Sequence, residues 1–274
     1  MNTVYAATEG GIAIHLAPPV LGHVFGVPIT STIVTAWLSM AVLVVLAVLL
    51  KRNLVLIPGK AQVAAELIVG GAFDYIADVL ESKALAQKFF PLIMTIFVFI
   101  LGMNWIGLLP GVDAIGIFKE THTGHELVPF LHPANTDLNM TIALAIIAFF
   151  SIEIAGVLFI GFFKYAGKFI NFKSPLGFLI GIIELFSELA RLISFSFRLF
   201  GNIFAGKTLL VIAMFFVPFI LPVPILAFEM FVGFIQAFIF AVLTLFFIKL
   251  AIEEPQYFAP GKIRPPPQTV HDGA

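Results

Sequence analysis

Residues 184–207 read ELFSELARLISFSFRLFGNIFAGK and lie within a longer, mostly apolar stretch. Five of their side chains are charged: Glu184, Glu188, Arg191, Arg198 and Lys207. A charge at the centre of a bilayer costs about 2.5–3.5 kcal/mol on insertion scales, so this pattern indicates a functional site. Glu188 and Arg191 are three residues apart and could pair on one helix face. Arg198 has no acidic residue three or four positions away, and its guanidinium cannot lose its proton. We therefore expect its partner on another helix or another chain.

The composition is that of a membrane protein. The chain has 274 residues, of which 60% are hydrophobic and 11% are charged, whereas soluble domains have about 25% charged residues. Its long uncharged runs indicate segments buried in the lipid bilayer. The net charge of −1 gives no indication of a nucleic-acid partner. The absence of cysteine excludes disulfides and thiolate metal sites.

The apolar runs predict an all-α polytopic membrane protein, with five membrane-spanning helices in a single membrane domain. The spans are predicted at 31–50, 89–110, 137–164, 175–219 and 222–253. The last two are long and tilted, and they form an antiparallel hairpin. The remaining segments are an external N-terminal segment (1–30), an external loop (111–136) and a cytoplasmic tail (254–274).

One further helix, predicted at 58–83, is amphipathic. Val69, Phe73, Ile76 and Leu80 recur at helical spacing, whereas Asp74, Asp78 and Glu81 repeat on another face. A helix with so many charges is expected to lie at the membrane surface rather than to span it.

The basic residues predict the orientation. Eleven of the fifteen Lys and Arg residues, including Lys51 and Arg52 after the first span, lie in segments that this topology places on one side. The positive-inside rule makes that side the cytoplasm, with the N-terminus outside and the C-terminus inside. We expect a multi-pass protein of a bacterial inner membrane.

The external loop contains three histidines: His122, His125 and His132. They could bind a metal, but no paired ligand spacing on a regular element supports a metal site. We interpret them as solvated side chains of a flexible loop, and we predict neither a metal nor a cofactor.

Polar residues of the last two spans recur every seven residues, which places them on nearly one helix face. Glu184, Arg191 and Arg198 have this spacing, and so do Glu229 and Gln236 on the last span. A hairpin that turns near residues 217–218 brings Lys207 to the depth of Glu229, and Arg198 to that of Gln236. Asn202 and Gln236 could instead serve only as hydrogen-bonding groups that hold the helices together.

Four sequence segments carry a resemblance that extends, in order, over essentially the whole chain: GLLP (107–110), TDLNMT (136–141), FRLFGNIFAG (197–206) and FIQAFIF (234–240). Together they resemble subunit a of F-type ATP synthases. The resemblance implies a membrane stator without catalytic chemistry of its own, which carries protons through two offset half-channels beside a rotating ring of c subunits. The other implied partners are the peripheral-stalk b subunits, the remaining synthase subunits and the lipid bilayer.

The resemblance also implies roles for single residues. Arg198 corresponds to the essential arginine that faces the ring carboxylates and prevents an ion short circuit. Gln236 corresponds to the glutamine that faces this arginine, and Glu184 to an acid near the cytoplasmic exit. Asn202 is placed on the same path.

The resemblance further implies that Asp137 and Asn139 line the outer half-channel. Glu229 and Lys207 fall at two facing positions, where the family has an acid and a titratable partner. Lysine departs from the usual Glu or His, and we expect it to pair with Glu229. Glu153 has no counterpart in the family pattern, but its mid-membrane position makes it a candidate path residue.

Two other functions remain to be distinguished. A secondary transporter could use the same Glu and Arg residues to bind a small solute, although no inverted repeat is visible. A structural scaffold could use them as buried ion pairs. Residues 201–208 read GNIFAGKT and fit the GxxxxGK[ST] spacing. They lie inside a predicted membrane span rather than in a loop between a strand and a helix, so we discount a phosphate-binding loop and expect nucleotide chemistry in other subunits.

Overall fold

The computed structural model describes residues 18–24, 26–52, 54–55, 58–109, 111–112, 115–121, 124–169, 175–218 and 220–253. The tail at 254–274, the first 17 residues and His122 lie outside these ranges. Five helices of the described chain are long and apolar enough to cross a membrane. The all-α polytopic class with five spans is thereby confirmed.

The first span is helix α1, Ser31–Arg52, which ends on two basic residues. Helix α2, Lys60–Leu80, is followed almost directly by α3, Lys83–Gly107. Between them Glu81 adopts a left-handed conformation with φ 52°, and the Ser82 hydroxyl accepts a hydrogen bond from the backbone of Leu85. This cap starts α3 six residues before the predicted span.

Helix α2 buries only part of its predicted apolar face. Ile76 and Leu80 are buried, and Phe73 packs against the core. Val69 is 46% exposed, and Leu67 beside it is also exposed. The C-terminal part of α2 is therefore the part that packs, in contact with α3 and with the last helix of the chain.

One β-hairpin lies before α1 and another after α3. Strands β1, Val20–Val24, and β2, Val27–Thr30, pair in antiparallel fashion. Strands β3, Gly116–Thr121, and β4, Gly124–Pro129, form a second antiparallel pair. The segment 111–136, predicted as a loop, therefore contains a pair of strands. Strand pairing satisfies the backbone groups of this segment within the chain.

A short 3-10 helix, Ala134–Thr136, follows the second hairpin and is fully buried. It contacts α1, α3 and two later helices. Gly107 makes this packing possible, because a Cβ there would lie 2.7 Å from the Cα of Pro133.

The third span is shorter than predicted. Helix α4 covers Leu138–Ile160 and ends where Gly161 has a φ of +94°, a conformation that favours glycine. A separate helix α5, Phe162–Phe169, then packs against α4.

The last two spans are α6, Pro175–Phe216, and α7, Pro222–Ile252. They are antiparallel: Phe195 stacks on Phe240 with ring centroids 4.8 Å apart, whereas Asn202, further along α6, contacts Gln236, earlier on α7. Helix α7 lies at the centre of the bundle, in contact with α3, α4 and α6. Its Leu245 and Ile248 side chains are fully buried.

Candidate functional site

Arg198 lies in an open groove between α6 and α7. The groove has a volume of about 390 Å³. The α6 wall carries a stripe of polar side chains three or four residues apart: Ser187, Arg191, Ser194 and Arg198. The α7 wall is apolar and consists of Leu243 and Phe247. The groove therefore presents two guanidinium groups and two hydroxyls on a largely apolar surface.

The Arg198 guanidinium donates a hydrogen bond of 3.1 Å from Nη2 to the Ser194 hydroxyl. Within the described ranges no carboxylate forms a salt bridge with it. Ile193 and Phe197 beside the stripe are 55% and 56% exposed. As expected, Arg198 has no acidic partner on its own helix, and it has none on α7 in the described part of the chain.

Gln236 binds Asn202 rather than Arg198. The Asn202 Nδ2 atom donates to Gln236 Oε1 at 2.6 Å. Gln236 is 2% exposed, and its Nε2 atom has no hydrogen-bond partner in the described part of the protein. The Gln236 side chain thus bonds to Asn202, one turn beyond Arg198 on α6, and no hydrogen bond between Gln236 and Arg198 is found in the described part of the chain.

Glu229 is buried against α6. Its carboxyl group lies on Gly206, where a Cβ would be 1.9 Å from Glu229 Oε2. Glu229 is thus at the depth of Lys207, as the hairpin geometry predicts. The expected pairing of these two residues is not seen, because no salt bridge joins them in the described part of the chain. The absence of a side chain at Gly206 is what lets this carboxyl approach the helix.

Lys207 contacts His132. Its Nζ atom lies 2.8 Å from His132 Nδ1. The His132 backbone N–H donates to the Thr35 hydroxyl at 3.0 Å, which fixes the residue against α1. The interpretation of His132 as a solvated loop side chain is therefore wrong, because the buried 3-10 helix that follows it draws this segment into the bundle. The side chain of His125 lies outside the described part, and within that part no three His, Asp or Glu side chains converge as metal ligands.

Asp137 joins α4 to α1. Its Oδ1 atom accepts a hydrogen bond from the Asn139 backbone at 2.9 Å, and its Oδ2 atom accepts one from the Thr32 hydroxyl at 3.0 Å. Asp137 is 5% exposed, whereas Asn139 is exposed. Asp137 therefore caps the N-terminus of α4, where a negatively charged side chain is favourable.

A buried amide pair, which sequence reasoning did not single out, links α3 to α7. Asn135 Nδ2 donates to Asn104 Oδ1 at 2.6 Å, and Asn104 Nδ2 donates to the Gly233 carbonyl at 2.9 Å. Asn135 Oδ1 is buried without a partner in the described chain. The one available signal was Asn104, the only amide side chain of the predicted span at 89–110.

A second polar cluster lies at the opposite end of α6. Arg191 Nη1 is 2.5 Å from Glu188 Oε2, so the predicted pair is confirmed. Lys168 of α5 contacts Glu184 at 2.5 Å and Glu188 at 3.4 Å. The Tyr165 hydroxyl, also from α5, donates to Glu153 Oε2 at 2.9 Å.

Five membrane-length helices with charged and amide side chains buried between the last two define a polytopic membrane protein that handles ions or polar solutes. The model of the ATP synthase A chain family matches residues 33–249. The chain belongs to this family, whose members are non-catalytic, ion-translocating subunits of the membrane sector.

Known relatives support the assignment over most of the chain. ATP synthase subunit a 3 of Pelobacter propionicus is 33% identical over 80% of this chain and 86% of the relative. Subunit a of Moorella thermoacetica is 30% identical over 85% and 96% of the two chains. Subunit a 2 of a Bradyrhizobium species is 33% identical over 86% and 95%.

Proposed function

We propose that this chain is subunit a of an F-type ATP synthase, the stator that delivers protons to a rotating c ring and removes them through two offset half-channels. Family membership supports the general role. The observation that carries the finer proposal is Arg198, a permanent cation in an open, largely apolar groove, bonded to a neutral hydroxyl and to no carboxylate of the described chain. A carboxylate of a neighbouring ring subunit supplies the missing partner.

The chemistry of arginine suits this role. A nearby cation favours the charged form of a carboxylate, so a ring carboxyl that reaches Arg198 releases its proton. Arginine keeps its charge where lysine could be neutralised by burial. The fixed charge therefore also repels protons that would pass directly from one half-channel to the other. Each proton that crosses gains about 2.3 kcal/mol per 100 mV of membrane potential.

The polar residues between α6 and α7 suit the outer half-channel. Glu229 and Gln236 are buried on one face of α7, with Asn202 opposite and Lys207 next to the Gly206 contact. Buried polar groups at membrane depth are costly and are typical of ion pathways. In this proposal Asp137 and Asn139 belong to the outer opening of the path.

Glu184 serves the inner half-channel. It is about one third exposed and pairs with Lys168 near the end of the bundle where most basic residues lie. This end is the cytoplasmic side of a bacterial inner membrane in our proposal, because the positive-inside rule favours it. The partners are the c ring, the peripheral-stalk b subunits and the surrounding lipid.

Reconstitution distinguishes a stator from a self-contained transporter. We expect the chain to co-purify with a ring of small two-helix proteolipids, and the whole complex in liposomes to pump protons on addition of ATP. The chain alone should take up no solute. Solute uptake by the purified chain alone, without any ring protein, would contradict the proposal.

A further inference from the structure

Glu153 is a carboxyl group of α4 that the two half-channels above do not use. Its Oε2 atom accepts the hydrogen bond from Tyr165. Its Oε1 atom is buried and has no hydrogen-bond partner in the described part of the chain. Oε1 is therefore an atom that can take up or release a proton without breaking an existing hydrogen bond.

The fold holds Tyr165 against this carboxyl. Tyr165 is 5% exposed, and its ring lies on Gly156, where a Cβ would be 2.3 Å from the ring atom Cε2. The break at Gly161 lets α5 fold back so that the ring reaches this position. Burial raises the pKa of Tyr165 above its usual range. Its hydroxyl therefore stays protonated and remains a hydrogen-bond donor.

The charges around Glu153 do not balance. The cluster contains three acids and two bases: Glu153, Glu184, Glu188, Lys168 and Arg191. The two cations bind Glu184 and Glu188, so Glu153 is left without a salt bridge. A buried carboxyl group without a cation contact is more stable when it holds a proton. One proton on the cluster makes its formal charge zero.

The cluster also joins the Arg198 groove to the protein surface. Arg191 lines the groove, with its guanidinium carbon 3.8 Å from the centre of the Phe247 ring, and it also binds Glu188. The Glu188 carboxylate is near enough to Glu153 to repel a negative charge on it. Lys168 and Glu184 extend the cluster to a partly exposed surface.

We propose that Glu153 is a proton-binding residue of the inner path, and that Tyr165 is the residue that positions it. The proton is bound at Glu153 Oε1. It leaves for the Glu188 carboxylate, which becomes the neutral acid while Glu153 becomes the anion, so that total charge is unchanged. This role rests on the proposed function, since an inner proton path is needed for it to matter.

Infrared difference spectroscopy on the assembled complex tests this proposal. At neutral pH the wild-type complex should show the C=O stretching band of a buried protonated carboxyl group, and Glu153→Gln should remove it. Glu66→Gln, which changes an exposed carboxylate of α2, is the matched control and should leave the band unchanged. A band that survives Glu153→Gln would overturn the proposal, because the proton would then be elsewhere.

Tyr165→Phe provides a second measurement with little change in shape. Removal of the hydroxyl should shift the Glu153 band to higher frequency, as a carboxyl group that loses a hydrogen bond does. An unshifted band would overturn the positioning role of Tyr165.

Glu153→Gln should also slow ATP-driven pumping about tenfold. This loss is smaller than the loss on removal of a typical acid–base residue, because Glu184 remains in the inner path. The spectra do not depend on Arg198, so a failed stator role and a failed Glu153 role can be told apart.

Discussion

Asn202 of α6 donates a hydrogen bond of 2.6 Å to Gln236 of α7, between two helices that turn back on each other near residue 218. Gln236 already has one side-chain atom, Nε2, without a partner among the described residues. Loss of the Asn202 side chain would leave the Gln236 amide without a hydrogen bond to any described group. This contact thus links the stability of the hairpin to the polar face of the proposed ion path.

Asn202→Ala should lower the stability of this subunit by about 0.6–1.7 kcal/mol, the range measured for hydrogen bonds between membrane helices. Thermal unfolding in the assembled complex measures the change. Ser187→Ala is the control, because this exposed hydroxyl bonds only to a carbonyl of its own helix. Equal stabilities of the two variants would contradict the assignment.

Gly206→Ala should impair proton translocation while the fold is kept. The new Cβ would lie 1.9 Å from Glu229 Oε2, so this flexible carboxyl must move away. Displacement of a reacting group by about 1 Å can cost about 100-fold in rate, and we expect a loss of about 10- to 100-fold in ATP-driven pumping.

Gly201→Ala is the matched control on the same helix, because a Cβ there would meet nothing within 4 Å. It should pump at nearly the wild-type rate. If both glycine variants lose activity equally, the position of Glu229 is not what matters.

His132 and Lys207 should be energetically coupled. A double-mutant cycle with His132→Ala and Lys207→Gln should give a coupling energy of about 0.5–3 kcal/mol in thermal unfolding, as for residues in contact. The pair His132→Ala and Lys83→Gln is the control, because Lys83 begins α3 at the far end of the bundle. Additive effects in the first cycle would show that the contact contributes nothing.

Gly156→Ala should destabilise the junction of α4 and α5. Its Cβ would lie 2.3 Å from the Tyr165 ring, and a rigid ring cannot bend away as a carboxyl can. Overpacking of this kind costs about 1–3 kcal/mol. Gly167→Ala on α5, with nothing within 4 Å of its Cβ, should be nearly neutral. Thermal unfolding compares the two, and similar stabilities would argue against tight packing of Tyr165.

The long helices could be predicted from sequence because each apolar run is long enough to span the bilayer. The depth of Glu229 relative to α6 followed from counting residues about the turn. Counting does not give the rotation of each helix about its axis, so it could not predict that Gln236 bonds to Asn202.

The contacts made by irregular segments could not be predicted in this way. His132 reaches Lys207 because a buried 3-10 helix draws its loop inward, and Tyr165 reaches Glu153 because the chain reverses at Gly161. The first contact joins residues 75 positions apart, the second depends on a break between consecutive helices, and neither leaves a periodic pattern. The family resemblance could not supply Glu153 either, since no family position corresponds to it.

The most direct test of the central claim is ATP-driven proton pumping by the complex that contains Arg198→Ala. Arg52→Ala, which removes an exposed arginine at the end of α1, is the control and should pump normally. Our account predicts that Arg198→Ala assembles but does not pump, because the guanidinium that remains in the groove, Arg191, is already paired with Glu188. Pumping by Arg198→Ala at the rate of the Arg52→Ala complex would contradict it.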